Sequence, residues 1–214
     1  MSKQAPSIAD YYLAERPEFV SFVKGSGHYL QAIDIGCAGG RLGMDLLRAG
    51  IVDACDGIEP HAPAAEEARS HLRQVWTGSL EENLLRIDWQ KYDLLTMADV
   101  LEHLTDPWTA LRELHKRTAD TCTLALSVPN VRHYQVVFPL LFKGQFRYGD
   151  HGIMDRTHLH FFSRSSLEET LSECGWRVQH AGSHMKSRYR RAYVPTRLLE
   201  PFVAVQHLVI ASKK

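Results

Sequence analysis

No apolar run in these 214 residues reaches the length of a membrane-spanning helix, and no segment repeats. Charge of either sign is not in excess: Lys plus Arg and Asp plus Glu are 25 each, so no global field favours nucleic acid or an acidic membrane surface. Cysteine is scarce. Cys37, Cys55, Cys122 and Cys174 stand far apart in apolar or strand-like surroundings without a C-x-x-C pair, which indicates neither a disulfide framework nor a zinc site. The polar stretch Met1 to Asp10, with Pro6, lacks the apolar centre of a secretory signal, so a reduced, cytoplasmic setting is expected. The length suits one domain with a sizeable core.

Strand-like and helix-like segments alternate along the chain. A helical segment from Ser7 to Lys24, interrupted at Pro17, ends in Gly25-Ser26-Gly27. Strands are expected at Tyr29 to Ile35, Ala54 to Glu59, Gln74 to Thr77, Tyr92 to Ala98, Thr121 to Val128, Trp176 to Ala181 and Phe202 to Ser212. Between them fall a helix carrying Leu42, Leu46 and Leu47 that stops at Gly50, and an Ala- and Glu-rich helix from Ala62 to Leu72. Asp106 and Pro107 open a helix with Trp108, Leu111 and Leu114 inward. A last helix reads as capped by a Ser165-x-x-Glu168 box, with Leu167 and Leu171 inside and Gly175 at its end. No helix follows the seventh strand, so it can return antiparallel.

The most informative stretch is Ala32-Ile33-Asp34-Ile35-Gly36-Cys37-Ala38-Gly39-Gly40-Arg41, followed one strand-helix-strand unit later by Gly57-Ile58-Glu59-Pro60. An apolar strand ending in an acid, a glycine-dense turn, a helix and a second strand ending in Glu build a nucleoside pocket at the carboxyl ends of two strands. Glu59 offers acceptor oxygens to a ribose diol. The dinucleotide spacing G-x-G-x-x-G fails from Gly36, where Ala38 and Arg41 take the later glycine places. Read from Ala38 it keeps Gly40 and Gly43 but shifts the turn into the helix. The spacing D-x-G-x-G-x-G fits Asp34, Gly36 and Gly40, with Ala38 departing. The chain here resembles the class I S-adenosylmethionine-dependent methyltransferases. The resemblance implies a Rossmann-like α/β fold with a seven-stranded, mostly parallel sheet, an antiparallel last strand and helices on both faces. It also implies a cofactor site of Asp34, Gly36, Cys37, Ala38, Gly40, Glu59 and Pro60, with Asp34 near the methionine end.

Tyr92 to Pro107, through Met97-Ala98-Asp99 and Leu101-Glu102-His103, resembles the fourth strand and following turn of ubiquinone- and menaquinone-pathway-like members. There the backbone at Met97, Ala98 and Asp99 flanks the cofactor. Ser79 and Leu80, after the third strand, fall where the family lines the adenine, with a hydroxyl in place of the usual Asp or Asn. Ser127-Val128-Pro129-Asn130-Val131-Arg132-His133 and the run from Asp150 to Ser163 resemble a subgroup found in bacterial surface-glycan gene contexts, which implies a role in polysaccharide biosynthesis. The segment 131–162 is too polar for core and too long for a simple connection, so it reads as an acceptor lid. Its polar side chains need partners, and a hydroxyl-rich substrate would supply them.

Methyl transfer to a hydroxyl needs a base, and histidine is the usual one. His158 is the first candidate, with Asp155 or Asp150 orienting its ring; His133 and His103 are reserves, and each of these histidines has a structural alternative. A metal cluster of His158, His160 and Asp155 lacks a cysteine or an assured third ligand, and no metal is expected. The apolar stretch Val136 to Phe142 reads first as a lid helix packed on the sheet, beside an ordinary solvated basic run from Met185 to Arg191 that includes Tyr189. The alternative is a lid touching a lipid carrier, with Lys186, Arg188, Arg190 and Arg191 on its phosphate. The expectation is a single methyltransferase domain, residues 1–214, with an N-terminal helical segment at 7–27. It would methylate an oxygen on a glycan, sugar-containing or small-molecule acceptor and release S-adenosylhomocysteine, with no nucleic-acid partner and no stable membrane insertion. The rivals are a nucleotide-dependent reductase, which lacks a Tyr-x-x-x-Lys pair, and an inactive cofactor-binding partner subunit.

Overall fold

The structure, a computed structural model, describes residues 16–185 and 199–213. The expected helical start at 7–15 and the basic residues Lys186, Arg188, Tyr189, Arg190 and Arg191 lie outside the described residues. Seven strands form one sheet: β1 (Tyr29–Ile35), β2 (Val52–Glu59), β3 (Val75–Thr77), β4 (Leu94–Ala98), β5 (Thr123–Pro129), β6 (Trp176–Met185) and β7 (Ala204–Lys213), in the order β3-β2-β1-β4-β5-β7-β6. β1 runs parallel to β2 and β4, β2 runs parallel to β3, and β6 pairs antiparallel with β7. Ala32 to Ile35 and all of β4 are buried without alternation, as strands covered on both faces require. Among the described residues, no helix is long and apolar enough to cross a membrane.

By internal packing the chain divides into two compact units, Met1–Met97 with Arg117–Thr123, and Ala98–Lys116 with Leu124–Lys214. The first unit begins with α1 (Pro17–Lys24), which buries Phe19 and Val23. Pro17 opens this helix: the first helical N–H has no intrahelical acceptor, so a residue without it fits there. α2 (Arg41–Arg48) buries Leu42 and Leu46, and α3 (Ala62–Ala68) buries Ala64, Ala65 and Ala68. The short α4 (Leu80–Asn83) starts at Ser79. A charge network holds this unit away from the glycine turn. Asp56, its side chain fully buried, receives Arg73 and the Tyr92 hydroxyl at 2.7 and 2.6 Å, with Lys91 at 3.3 Å. Burial by itself would raise that carboxyl, but these three donors outweigh it and hold the group below its ordinary value.

In the second unit α5 (Pro107–Arg117) is capped by Asp106, whose carboxylate accepts from the Thr109 amide at 3.0 Å, and it buries Leu111 and Leu114 completely. α6 (Tyr134–Lys143) follows β5. α7 (Arg164–Glu173) is capped two residues earlier than expected: Ser163 and Ser166 exchange side-chain and backbone bonds, so the box is Ser163-x-x-Ser166 and not Ser165-x-x-Glu168. Leu167 and Leu171 are buried as expected. The one-turn α8 (Glu200–Val203) precedes β7, and Asn130 at the end of β5 donates to the Pro201 and Ala204 carbonyls at 2.8 Å each.

Candidate active site

In the first unit the chain leaves β1 through Gly36, whose φ of 72° is a left-handed value that glycine adopts without a Cβ clash. The Gly36 and Cys37 amides both donate to the Ile58 carbonyl at 2.8 and 3.0 Å, which ties the turn to β2. Ala38 then takes φ 49°, left-handed for a residue with a Cβ, at a cost of about 1–2 kcal/mol. Its amide donates to Glu59 Oε2 at 2.8 Å, and the His61 amide donates to Oε1 at 2.8 Å. Both oxygens of Glu59 are thus fixed by backbone. Gly40, at φ 81°, starts α2, and a Cβ there would meet Ala68 at 3.1 Å.

Asp34 is almost fully buried and accepts from the Thr96 hydroxyl at 2.6 Å. Burial dominates its ionisation and pushes its pKa up to about 7, with the Thr96 bond and Arg16 opposing and Glu59 reinforcing. Cys37 is buried: a Cβ on Gly57 would strike its Sγ at 2.6 Å, so the thiol packs against β2, and only its backbone is left for a ligand. Burial pushes that thiol far up, with Asp34 and Glu59 adding to it. Pro60 is exposed, and Met97 is fully buried. The Ser79 hydroxyl accepts from the Glu82 amide in a capping box, and the Leu80 side chain is buried. Both side chains expected at the adenine are therefore engaged in local structure.

In the second unit Ala98 ends β4 nearly buried, and Asp99 turns the chain with a left-handed φ of 58°. Three side-chain bonds hold its carboxylate: Gln206 Nε2 donates to Oδ1 and Oδ2 at 2.8 and 2.6 Å, and the Ser127 hydroxyl donates to Oδ1 at 3.0 Å. Such over-determination is what sustains a strained backbone conformation.

His103 and His158 meet edge to face with ring centroids 4.7 Å apart. His158 is 8% exposed, and its Nδ1 lies 2.9 Å from the Ile153 carbonyl. His103 Nδ1 lies 3.2 Å from the Thr157 carbonyl. A carbonyl only accepts, so each Nδ1 carries the ring proton and each Nε2 keeps its lone pair. Burial lowers the His103 pKa, and His158 beside it lowers it further. Glu102 is buried, and its backbone carbonyl accepts from the Leu159 and His160 amides at 2.8 and 3.1 Å, which ties the 158–160 segment to this turn. Glu102, His103 and His158 each bring one ligand atom within 4.8 Å of the others.

Several expectations are corrected here. His158 Nδ1 meets the Ile153 carbonyl and no carboxylate: Asp155 accepts from the Thr157 amide and hydroxyl at 2.8 and 2.7 Å and acts on His158 and His103 through its charge alone, and Asp150 pairs with Arg156. The same pairs satisfy much of the polarity of the segment, so its composition does not by itself call for a hydroxylated ligand. His133 is a buried cap whose Nδ1 accepts from the Gln135 amide at 3.4 Å at the start of α6, a structural task. His160 does not join His158; it sits edge-on to Trp108 at 5.3 Å with Nε2 3.3 Å from the Thr105 carbonyl. The cation-competent group is built on Glu102 and His103 and not on His160 and Asp155. Sequence reasoning passed over Thr96, Ser127, Gln206 and Glu102 as site residues. Only Glu102 carried a local signal, as an acid directly beside a candidate histidine.

Residues 8–181 match the family described as a methyltransferase domain, and the chain belongs to that family. The chain is 28% identical over 169 residues to a ubiquinone biosynthesis O-methyltransferase, mitochondrial, of Candida albicans, an alignment covering 76% of this chain. It spans about half of that curated relative, 49% of its length. Among solved structures, an S-adenosylmethionine-dependent methyltransferase from Archaeoglobus fulgidus superposes with a TM-score of 0.66 at 14% identity, covering 95% of this chain and 97% of that one. Another, from Mesorhizobium loti, gives 0.64 at 13% identity over 92% and 96%. At such identities the likeness concerns the fold, which is the Rossmann-like methyltransferase α/β fold expected from the turn after β1.

Proposed function

We propose that this chain transfers a methyl group from S-adenosylmethionine to an oxygen of a hydroxyl-bearing acceptor, a glycan or a small molecule, and releases S-adenosylhomocysteine. The reading rests on Glu59. Each of its oxygens accepts one backbone amide and has a further lone pair, so a carboxylate already fixed in place still offers two acceptors to a ribose diol. Gly36, Cys37, Ala38, Gly40 and Pro60 would present the turn's backbone to the nucleoside, with Ser79 and Leu80 toward the base. Asp34 would face the amino-acid end, and Met97, Ala98 and Asp99 would flank the cofactor with backbone. When bound, the cofactor supplies an electrophilic methyl on a sulfonium, which asks for an acceptor oxygen aligned about 3 Å away.

His158 Nε2 takes the hydroxyl proton, while the bond from Nδ1 to the Ile153 carbonyl holds the tautomer and the ring plane. His103 packs edge-on against that ring and limits its rotation. Oxygen as the methylated atom is also what the name of the Candida albicans relative describes for that protein. His158→Ala should leave S-adenosylhomocysteine binding by calorimetry unchanged and cut turnover by roughly 10²–10⁴. Turnover kept per folded molecule, with a lowered melting temperature, would reduce His158 to a structural role.

A second reading is favoured by the convergence of Glu102, His103 and His158 within 4.8 Å. One carboxylate and two neutral imidazoles form a donor set for a divalent cation, which would polarise the acceptor hydroxyl in place of a free base. Turnover lost on dialysis against chelator and restored by added cation would select this reading over the metal-free base.

A further inference from the structure

α6 is an apolar helix turned outward. Of its ten residues only Val136 is buried, whereas Phe138, Leu141 and Phe142, one stripe at i, i+3 and i+4, are 47%, 70% and 74% exposed. Leu140 beside them is 45% exposed. This corrects the expectation of a lid helix packed on the sheet. The helix is anchored at its beginning, where His133 caps it and Phe138 leans on Phe202 with centroids 6.4 Å apart. At its far end Gly144, at φ 61°, donates to the Leu140 carbonyl at 3.0 Å and Gln145 donates to the Pro139 carbonyl at 3.1 Å, and the side chains of Leu141 and Phe142 stay exposed.

In sequence the charges that flank the stripe, as far as Asp150, are of one sign. Residues 131–149 contain no Asp or Glu, while Arg132, Lys143 and Arg147 are exposed in an otherwise neutral chain. Lys143 and Arg147 make no ion pair among the described residues. We propose that the end of α6 docks on the surface of an anionic lipid bilayer, with Leu141 and Phe142 entering the headgroup–acyl boundary and Lys143 and Arg147 on the lipid phosphates. At ten residues α6 is about 15 Å long, half a bilayer core, so it lies in the interface and does not span. A second copy of this chain fits less well, because two-fold pairing of the stripe sets Lys143 and Arg147 against the same cations. The dock is independent of which acceptor is methylated.

The test is co-sedimentation of the full chain with vesicles of phosphatidylcholine alone and of phosphatidylcholine with one quarter phosphatidylglycerol. The wild type should bind the anionic vesicles, and Leu141→Asp/Phe142→Asp should weaken that binding by at least about tenfold. Lys143→Glu/Arg147→Glu should lose roughly fivefold or more for each cation and with it the preference for anionic lipid. Leu141→Trp provides a separate readout, a blue shift of the introduced indole's emission on adding anionic vesicles. Wild-type protein that stays in the supernatant, an emission spectrum of Leu141→Trp that does not shift, or a dimer in sedimentation velocity that Leu141→Asp/Phe142→Asp dissolves would overturn the proposal.

Discussion

Replacing Glu59 by Gln keeps the shape of the side chain and removes one acceptor, and its effect divides into two parts. Before any ligand binds, Oε1 and Oε2 each receive a backbone amide at 2.8 Å, from His61 and Ala38. The amide nitrogen of Gln must replace one of those oxygens and would then point a donor at a donor. The residue is 5% exposed, so the orphaned N–H finds little water, and unfolding stability should fall by about 1–3 kcal/mol. If Ala38 is the amide left without an acceptor, its left-handed φ of 49° also loses support. The ligand part is the loss of a charge-assisted bond to the diol, about 1.5–3 kcal/mol, or roughly 10- to 150-fold in S-adenosylhomocysteine affinity. Urea unfolding without ligand reads the first part, and titration calorimetry under conditions where the variant is folded reads the second. Unchanged stability would refute the double backbone clamp. Unchanged affinity in a destabilised variant would refute the ribose assignment while leaving the clamp intact.

His207 is 2% exposed on β7, and burial, helped by Arg164 and Arg132 and opposed by Glu200, lowers its pKa from 6.5 to about 4. The unfolded chain therefore binds a proton that the folded chain refuses between these values. Stability is intact above pH 6.5 and is lost as pH falls toward 4, by up to about 3 kcal/mol from this group. Asp34, raised to about 7, acts in the opposite direction over that range, so the quantity to measure is the difference in urea midpoint between wild type and His207→Leu from pH 8 to 4. A pH-independent difference would show that His207 ionises as freely folded as unfolded. Hydrogen exchange should separate the segment 131–162 into two parts, with Leu159 and His160 protected through the Glu102 carbonyl without ligand, and 150–153 slowed only when cofactor product and a hydroxylated acceptor are both added. Uniform protection of 131–162 in the unliganded protein would remove any gating role.

Within unit one the sequence alone set the turn after β1 and the strand ends around it. Asp34, Gly36, Gly40 and Glu59 were legible because their positions follow from strand period, strand ends and the φ values that a tight turn imposes, all fixed by neighbours a few residues away. The Asp106 cap of α5 was readable for the same reason, whereas that of α7 was placed two residues late because Ser163, Ser165 and Ser166 all offer hydroxyls and only their backbone conformation decides among them. Tertiary structure decided which distant groups meet. Gln206 reaches Asp99 across 107 residues and His103 finds the Thr157 carbonyl across 54, pairings set by where whole elements land and by no local pattern. The acids expected to steer His158 bond Thr157 and Arg156 although the ring is only three and eight residues away in sequence, because the fold of the turn aims His158 Nδ1 at the Ile153 carbonyl. The outward face of α6 was likewise a tertiary decision: an apolar helix of that length reads as core in sequence, and only the lack of an opposing surface among the described residues leaves Leu141 and Phe142 in solvent.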